Sequence, residues 1–165
     1  MEQYDCVVIG AGPAGLFCAS EAHIPGCRIL LLEKNSDPGA KLLLSGSGQC
    51  NITHGGDIRD FLSHYGETGK LLKPALFGFT NQDLIEFFRK RGLAMITEEN
   101  GKVFPETYRS SDVRDVLMKE CRKKGVDLRC NEPVIVVNRV KKGFEIQTPK
   151  SAYFSPVVVI STGGA

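Results

Sequence analysis

The chain has 165 residues, of which 42% are hydrophobic and 24% are charged, and its formal net charge is +2. This length and apolar fraction suffice for a globular domain with a hydrophobic core, and they exclude a disordered chain. The near balance of 21 basic and 19 acidic residues, together with the absence of tryptophan, gives no support for nucleic-acid binding. We therefore expect no nucleic-acid partner.

The N-terminal residues and the cysteines indicate the cellular compartment of the protein. The first five residues read MEQYD, which is acidic where a secretory signal peptide would be basic. No apolar run approaches the length of a membrane span. The six cysteines contain no C-x-x-C pair, and no histidine stands at a zinc-ligand spacing. We expect a soluble cytoplasmic protein with reduced thiols, no metal site and no membrane partner.

Residues 1–33 predict one β-α-β unit. Residues 6–9 (CVVI) form a short apolar run rich in β-branched side chains, and residues 28–33 (RILLLE) form a second predicted strand around the apolar run ILLL. Runs without polar alternation are typical of strands buried on both faces, as in a parallel sheet. Residues 13–23, between the runs, predict a helix.

The middle of the chain predicts short helices and one hairpin. Thr80 has the residue type of an N-cap, and Gly92 is placed to end the helix that Thr80 begins. The Asn100–Gly101 pair indicates a tight turn between two strands. The other elements predicted here are helices over residues 58–65 and 70–77 and strands over residues 93–97 and 102–104.

The last third predicts a helix followed by strands. Ser111 is a candidate N-cap for a helix that Gly125 ends. The predicted strands cover residues 126–130, a three-stranded β-meander over residues 133–140, 143–148 and 152–154, and a buried strand over residues 157–160. The chain ends one residue after the Gly163–Gly164 pair, so we expect it to be truncated.

Residues 10–15 (GAGPAG) match the pattern G-x-G-x-x-G directly between a strand and a helix. In this setting Gly10 permits the tight turn, Gly12 lets the main chain approach a pyrophosphate, and Gly15 lets helix and strand pack closely. The start of the helix then presents free N–H groups and the positive end of its dipole. The residues predicted to bind the pyrophosphate are Gly10, Gly12, Pro13, Ala14 and Gly15.

Glu33 ends the second strand at the spacing of a dinucleotide fingerprint. Its carboxylate would accept hydrogen bonds from ribose hydroxyls and repel a 2′-phosphate, which disfavours NADP at this position. Lys34, the next residue, joins it as a candidate cofactor contact. On these residues FAD and NAD remain alternatives, as does a glycine turn without a ligand.

Residues 41–53 (KLLLSGSGQCNIT) combine glycines with neutral polar groups. The glycines would allow main-chain N–H groups to converge on an anion or a ring oxygen, and the lysine can reach a phosphate. A solvent-exposed linker is the alternative. The candidate cofactor contacts in this segment are Lys41, Ser45, Gly46, Gly48, Cys50 and Asn51.

The later elements resemble the glutathione-reductase-like group of FAD proteins. In that group a β-meander lies between two parallel strands, and the second strand ends in a turn equivalent to residues 161–164. The resemblance implies that Thr162 and Gly163 approach the flavin nucleotide. It also implies that Val134 contacts the adenine through its main chain, with an ordinary core position as the alternative.

Residues 41–53 also resemble the K-L-L-x-S-G-x-G-R-C-N-x-T signature of a bacterial family of NAD(P)/FAD-dependent oxidoreductases, which includes aminoacetone oxidases and bile-acid-pathway reductases. Residues 103–107 and 111–113 are similar to that family's F-P-x-S…S-x-V segment. The match follows the whole chain in order. Gln49 replaces the usual arginine, which removes a cation that would help to hold an anionic flavin or substrate.

The resemblance implies an α/β, Rossmann-like FAD-binding domain of glutathione-reductase type, with a parallel sheet flanked by helices and a three-stranded β-meander, over residues 1–165. A substrate domain and a C-terminal flavin-pocket segment would be missing. We expect FAD as cofactor, a small organic substrate, NAD(P)H or oxygen as redox partner, and a fragment that is catalytically incomplete and retains FAD weakly or not at all. The alternatives are an NAD-binding dehydrogenase domain and a non-catalytic nucleotide-binding remnant that self-associates through its truncated surface.

Overall fold

The computed structural model describes residues 1–22 and 24–164. The chain divides into two compact units, the first formed by Met1–Leu43 and Leu117–Ala165 and the second by Leu44–Val116. His23, the last residue of the first predicted helix, and Ala165 lie outside the described residues. Within the described part, no helix is both long and apolar enough to cross a membrane.

The described elements alternate along the chain in the manner of an α/β protein. The strands are β1 (Glu2–Gln3), β2 (Cys6–Ile9), β3 (Ile29–Leu32), β4 (Thr53–His54), β5 (Met95–Thr97), β6 (Lys102–Pro105), β7 (Asp127–Arg129), β8 (Val136–Val140), β9 (Gly143–Gln147), β10 (Ala152–Ser155) and β11 (Val157–Ile160). The α-helices are α1 (Pro13–Glu21), α2 (Ala40–Leu44), α3 (Ile58–Phe61), α4 (Gly69–Gly78), α5 (Asn81–Arg89) and α6 (Ser110–Lys123). Two 3₁₀ helices cover Ser45–Gly48 and Leu62–Thr68.

A parallel sheet in the order β11-β2-β3-β7 forms the centre of the first unit. Val7 and Val8 on β2 and Leu30 and Leu31 on β3 are fully buried, as expected for strands covered on both faces. Helix α1 packs on β2 and β3. The Cys121 thiol of α6 lies 3.3 Å from the carbonyl oxygen of Leu16 on α1. The predicted α/β fold with a parallel sheet is confirmed.

The predicted β-meander is present as β8, β9 and β10, and β1 adds a fourth strand. Strand β1 pairs with β10 in parallel, with Glu2 opposite Tyr153. The chain then enters β2, whose Cys6 lies opposite Val157 of β11. A buried cluster joins the meander to the parallel sheet, and its members are Tyr4, Val7, Ile9, Leu30, Leu32, Ile146 and Tyr153.

The second unit contains an antiparallel sheet in the order β4-β6-β5 and helix α5. The predicted cap at Thr80 is confirmed as a capping box: the Thr80 side chain accepts a hydrogen bond from Asp83 N, and Asp83 Oδ2 accepts one from Thr80 N at 2.8 Å. The predicted hairpin is also confirmed, with Gly101 in the left-handed region at φ +82°.

Several predicted boundaries differ from the structure. The helix predicted over residues 58–65 is a single α-helical turn that continues as the 3₁₀ helix Leu62–Thr68. Ser111 was predicted to cap α6, but the helix begins at Ser110, so Ser111 lies inside the first turn and that assignment is wrong. Residues 41–48, for which the sequence suggested converging main-chain N–H groups or an exposed linker, are helical. The leucines at 42–44 lie within α2, which buries Leu42, and Ser45–Gly48 is a 3₁₀ helix.

Candidate functional site

The glycine-rich turn between β2 and α1 needs glycine at two positions for different reasons. Gly10 has φ +100°, and a Cβ there would lie 2.7 Å from the Ser161 carbonyl oxygen. A Cβ on Gly15 would lie only 1.9 Å from the Gly10 carbonyl oxygen. The first position therefore forms the tight turn, and the second allows close packing of helix against strand, as the fingerprint predicted.

Gly12, by contrast, faces open space. It is the N-cap residue of α1, and a Cβ there would meet nothing within 4 Å. Among the described residues no side chain caps this helix end. Because the first N–H groups of an α-helix have no partner within the helix, those after Gly12 are available to an anion. Pro13 occupies the first helical position, where its missing N–H is not needed.

Glu33 lies at the same turn and is buried, with 7% of its surface exposed. Its Oε2 accepts a hydrogen bond from Ala11 N at 2.8 Å, and its Oε1 accepts bonds from the main-chain and side-chain nitrogens of Asn35, both at 2.9 Å. A carboxylate oxygen can accept more than one hydrogen bond, so acceptor capacity remains on both. The turn therefore holds this carboxylate beside Gly12. Lys34 is exposed.

The turn after β11 meets the turn after β2. Ser161 N donates to Ile9 O at 2.8 Å, and the Ser161 hydroxyl donates to Gly10 O at 2.9 Å. Gly163 is exposed and has φ +75°, which leaves its main chain accessible. Lys41 Nζ of α2 donates to Gly164 O. Ser161 was overlooked at the sequence level as a side-chain contributor, since its role depends on a strand more than 150 residues earlier in the chain.

The side chain of Val134 packs in the hydrophobic core. It is half-buried and packs against the cluster that joins the two sheets. The neighbouring Ile135 N donates to Gln147 O at 2.8 Å. Among the described residues, the main chain of Val134 has no hydrogen-bond partner. The core position considered from the sequence is therefore present.

Residues 45–51 belong to the second unit and have an unusual main chain. The sequence predicted converging N–H groups in a glycine loop, but Ser45–Gly48 is a 3₁₀ helix. Ser47 (φ +56°) and Cys50 (φ +60°) are both in the left-handed region, although neither is glycine. Such residues cost about 1 kcal/mol or more and cluster at functional sites. Gly46 and Gly48 lie within the 3₁₀ helix itself.

Cys50 and Asn51 are held within that unit. Cys50 is buried, and burial raises the pKa of its thiol. A protonated, buried thiol is a poor nucleophile. Asn51 Oδ1 accepts a hydrogen bond from Val103 N at 3.2 Å, which ties it to β6. The first unit therefore contains the glycine turn, Glu33, Lys41 and the turn formed by residues 161–164. The second unit contains Ser45 to Asn51.

Two curated relatives match nearly the whole of this chain. It is 34% identical over 171 residues to the ribosomal RNA dihydrouridine synthase of Escherichia coli, covering 99% of this chain and 40% of that protein. It is 26% identical over 159 residues to the 3-dehydro-bile acid delta(4,6)-reductase of Clostridium scindens, covering 95% and 38%. The chain thus spans about 40% of the length of these relatives.

Solved structures share the fold. THI4 of Thermovibrio ammonificans superposes with a TM-score of 0.63 at 14% identity, over 98% of this chain and 58% of that one. The p-nitrophenol 4-monooxygenase PnpA of Pseudomonas putida superposes with a TM-score of 0.62 at 18% identity, over 99% and 42%. At these identities the likeness concerns the fold alone, and it agrees with the predicted Rossmann-like architecture.

The family profile described as "HI0933-like protein Rossmann domain" matches residues 4–165. The predicted resemblance to a bacterial oxidoreductase family is confirmed, and FAD is the cofactor that this match supports. The turn geometry, the topology and the profile together place this chain in the HI0933-like Rossmann-domain family.

Proposed function

We propose that this chain is the FAD-binding part of a flavin-dependent oxidoreductase. The observation that carries the proposal is the open, uncapped helix start at Gly12, with the buried Glu33 carboxylate fixed beside it by Ala11 N at 2.8 Å. A diphosphate placed at Gly12 meets free N–H groups and the positive end of the α1 dipole. A ribose placed at Glu33 meets an acceptor of fixed orientation.

The residues around the turn fit the rest of the cofactor. Val134 offers unpaired main-chain groups for the adenine, and Thr162 and Gly163 follow the turn that abuts Gly10. Lys41 holds that second turn through Gly164 O. In the second unit, we keep Ser45, Gly46, Gly48, Cys50 and Asn51 as proposed cofactor contacts on the strength of the sequence signature alone. FAD, when bound, supplies hydride transfer, while these residues bind and orient it.

FAD is favoured over NAD by the second sheet. A plain NAD-binding domain has no need of the β-meander, whereas here the meander shares a buried cluster with the parallel sheet and positions Val134. The buried carboxylate of Glu33 disfavours NADP at this turn, because a 2′-phosphate would be placed beside a negative charge. NAD(P)H would then act as electron donor from another site, which is part of this proposal.

For the whole protein we propose reduction of a conjugated carbon–carbon double bond. Dihydrouridine differs from uridine by two hydrogens across one such bond, and the bile-acid relative is named as a delta(4,6)-reductase. A small organic substrate is the first candidate, as the sequence suggested. Ribosomal RNA is the second, and the 34% identity to the dihydrouridine synthase over 99% of this chain favours it. The composition gave no support for nucleic acid, and that expectation stays a prediction.

Titration of the purified 165-residue chain tests the cofactor. We expect FAD fluorescence to be quenched saturably, with weak affinity, and we expect ADP to compete. FMN, which lacks the adenosine half, should compete poorly. NAD carries the same ADP half as FAD, so we expect it to compete no better than ADP. Absence of any FAD binding, or stronger competition by NAD than by ADP, would overturn the proposal.

A genetic test separates the two substrate candidates. The gene that encodes this chain is expressed in an Escherichia coli strain lacking its own ribosomal RNA dihydrouridine synthase, and dihydrouridine is measured in the RNA by mass spectrometry. Restored dihydrouridine supports the RNA candidate. Its absence, with the protein expressed and flavin-loaded, supports a small substrate.

A further inference from the structure

Glu132 is a buried carboxylate that the proposed function does not use. Only 5% of its surface is exposed. Its Oε1 accepts hydrogen bonds from the Thr148 hydroxyl at 2.9 Å and from the Tyr153 hydroxyl. Thr148 follows β9 and Tyr153 lies on β10, so this side chain is bound entirely to the meander. Burying a carboxylate costs free energy unless such donors surround it, so its presence needs an explanation.

The main chain around Glu132 is bound to a different part of the molecule. Glu132 N donates to Glu33 O at 2.8 Å, and Asn131 N donates to Asn35 O at 3.0 Å. Asn131 has φ +53°, a conformation that asparagine tolerates better than most residues. Earlier in the same segment, Arg129 O accepts a hydrogen bond from Glu33 N at 2.9 Å. The segment is therefore attached along its length to the turn that carries Glu33.

Arg129 sets the direction of the hydrogen bond to Glu132. Its guanidinium Nη1 donates to the Tyr153 hydroxyl oxygen at 3.0 Å, and its Cζ lies 5.3 Å from the centre of the Tyr153 ring. Because that oxygen accepts from the guanidinium, its own proton is directed to the carboxylate. Glu132 thus receives an oriented donor from a fully buried tyrosine.

We propose that Glu132 is a positioning residue for the adenosine half of FAD. The side chain of Glu132 binds the meander, and its main chain binds the turn that carries Glu33. Val134 follows two residues later. The ribose acceptor and the main-chain groups offered to the adenine are then held in one fixed arrangement. This inference rests on the proposed function, since it assigns the residue that supports the same site.

Replacing the side chain separates this role from a general loss of stability. In Glu132→Ala the Tyr153 hydroxyl loses its carboxylate acceptor and the Thr148 hydroxyl keeps only Ser151 O at 3.1 Å. The side-chain link between residue 132 and the meander is then lost, while the main-chain bond from Ile135 N to Gln147 O remains. In Glu132→Gln the amide oxygen can still accept both hydrogen bonds. We therefore expect the glutamine variant to rescue what the alanine variant loses.

The experiment measures the affinities of the chain for FAD and for AMP, which contains only the adenosine half and one phosphate. We expect Glu132→Ala to weaken both by the same factor, about tenfold or more, and Glu132→Gln to remain within about threefold of wild type. Ile29→Ala is the control: Ile29 is buried at the opposite end of β3 from Glu33, so its loss lowers the unfolding temperature but leaves both affinities unchanged.

The outcomes are distinguishable. A folded Glu132→Ala variant that binds FAD and AMP like wild type overturns the role of Glu132, and so does a glutamine variant as weak as the alanine variant. Should Glu132→Ala fail to fold, Tyr153→Phe removes one donor alone and is expected to weaken both ligands about threefold or more; unchanged affinities there overturn the role. A wild-type chain that binds neither ligand overturns the proposed function itself.

Discussion

Substitution of Gly15 by alanine tests the close contact between α1 and β2. The added methyl group would lie 1.9 Å from Gly10 O and 2.6 Å from Ser161 Oγ. Real Cβ atoms stay at least 3.0 Å from such atoms, so helix and turn must separate by about 1 Å. The atom in the way is main-chain oxygen, which no side-chain rotation can move aside.

The magnitude follows from two opposing effects. Overpacking of this kind costs up to about 3 kcal/mol. Alanine has a higher helix propensity than glycine, which offsets about 1 kcal/mol. We therefore expect Gly15→Ala to lower the free energy of unfolding by about 2 kcal/mol, and the unfolding temperature by about 4–8 °C for a chain of this size.

Gly12→Ala is the matched control on the same turn. Its Cβ would meet nothing within 4 Å, and its φ of −72° suits alanine. We expect the free energy of unfolding to stay within about 0.5 kcal/mol of wild type. The methyl group would occupy the space proposed for the diphosphate, so we expect FAD affinity to fall about tenfold or more.

Urea denaturation followed by circular dichroism measures the stability of both variants, and quenching of FAD fluorescence measures binding. The two readouts should separate: Gly15→Ala loses stability, and Gly12→Ala loses affinity. A Gly15→Ala variant as stable as wild type would refute the packing argument. A Gly12→Ala variant with unchanged FAD affinity would place the diphosphate elsewhere.

Three further predictions concern charge and exposure. The hydrogen bond from Thr80 lowers the pKa of Asp83, so the stabilisation by the ionised carboxylate is present above about pH 4 and is lost as the pH falls through the lowered pKa. Thr80→Ala should raise that pKa towards its ordinary value in an NMR titration, and an unchanged value would contradict the cap. Burial raises the pKa of Cys121 to about 11, so at pH 8 iodoacetamide should alkylate it far more slowly in the folded chain than in urea, as followed by mass spectrometry; equal rates would contradict its burial. Glu33→Gln removes the negative charge beside the ribose, so 2′,5′-ADP should gain affinity relative to 5′-AMP in competition with FAD, and an unchanged ratio would speak against ribose binding there.

The first unit was largely predictable because its signals are local. Residues 6–9 and 29–32 are continuous apolar runs, and both form strands buried between layers. The glycine pattern fixed the turn at residues 10–15, where two glycines prove sterically necessary. The pairing of Glu2 and Gln3 with β10 was not predictable, because two exposed residues show no hydrophobic periodicity and their partner strand lies about 150 residues later in the chain.

The site was predictable in its residue types more than in its contacts. The position of Glu33 followed from spacing, but its bonds to Ala11 and Asn35 depend on how the turn closes in three dimensions. The positive φ of Ser47 and Cys50 has no sequence signal, because neither residue type favours that conformation. The helical state of Ser45–Gly48 was missed because two glycines in four residues favour a loop.

Two neighbouring strand pairs cross from one sheet to the other together. Strands β1 and β10 run side by side in the meander sheet, and their continuations β2 and β11 run side by side in the parallel sheet. A force pulling Met1 away from Gly164 would therefore pull the two strands of each pair in opposite directions along the strand axis. All the hydrogen bonds between the paired strands would then carry the load at the same time instead of breaking one after another. We therefore expect these two strand pairs to determine the resistance of the first unit to mechanical unfolding.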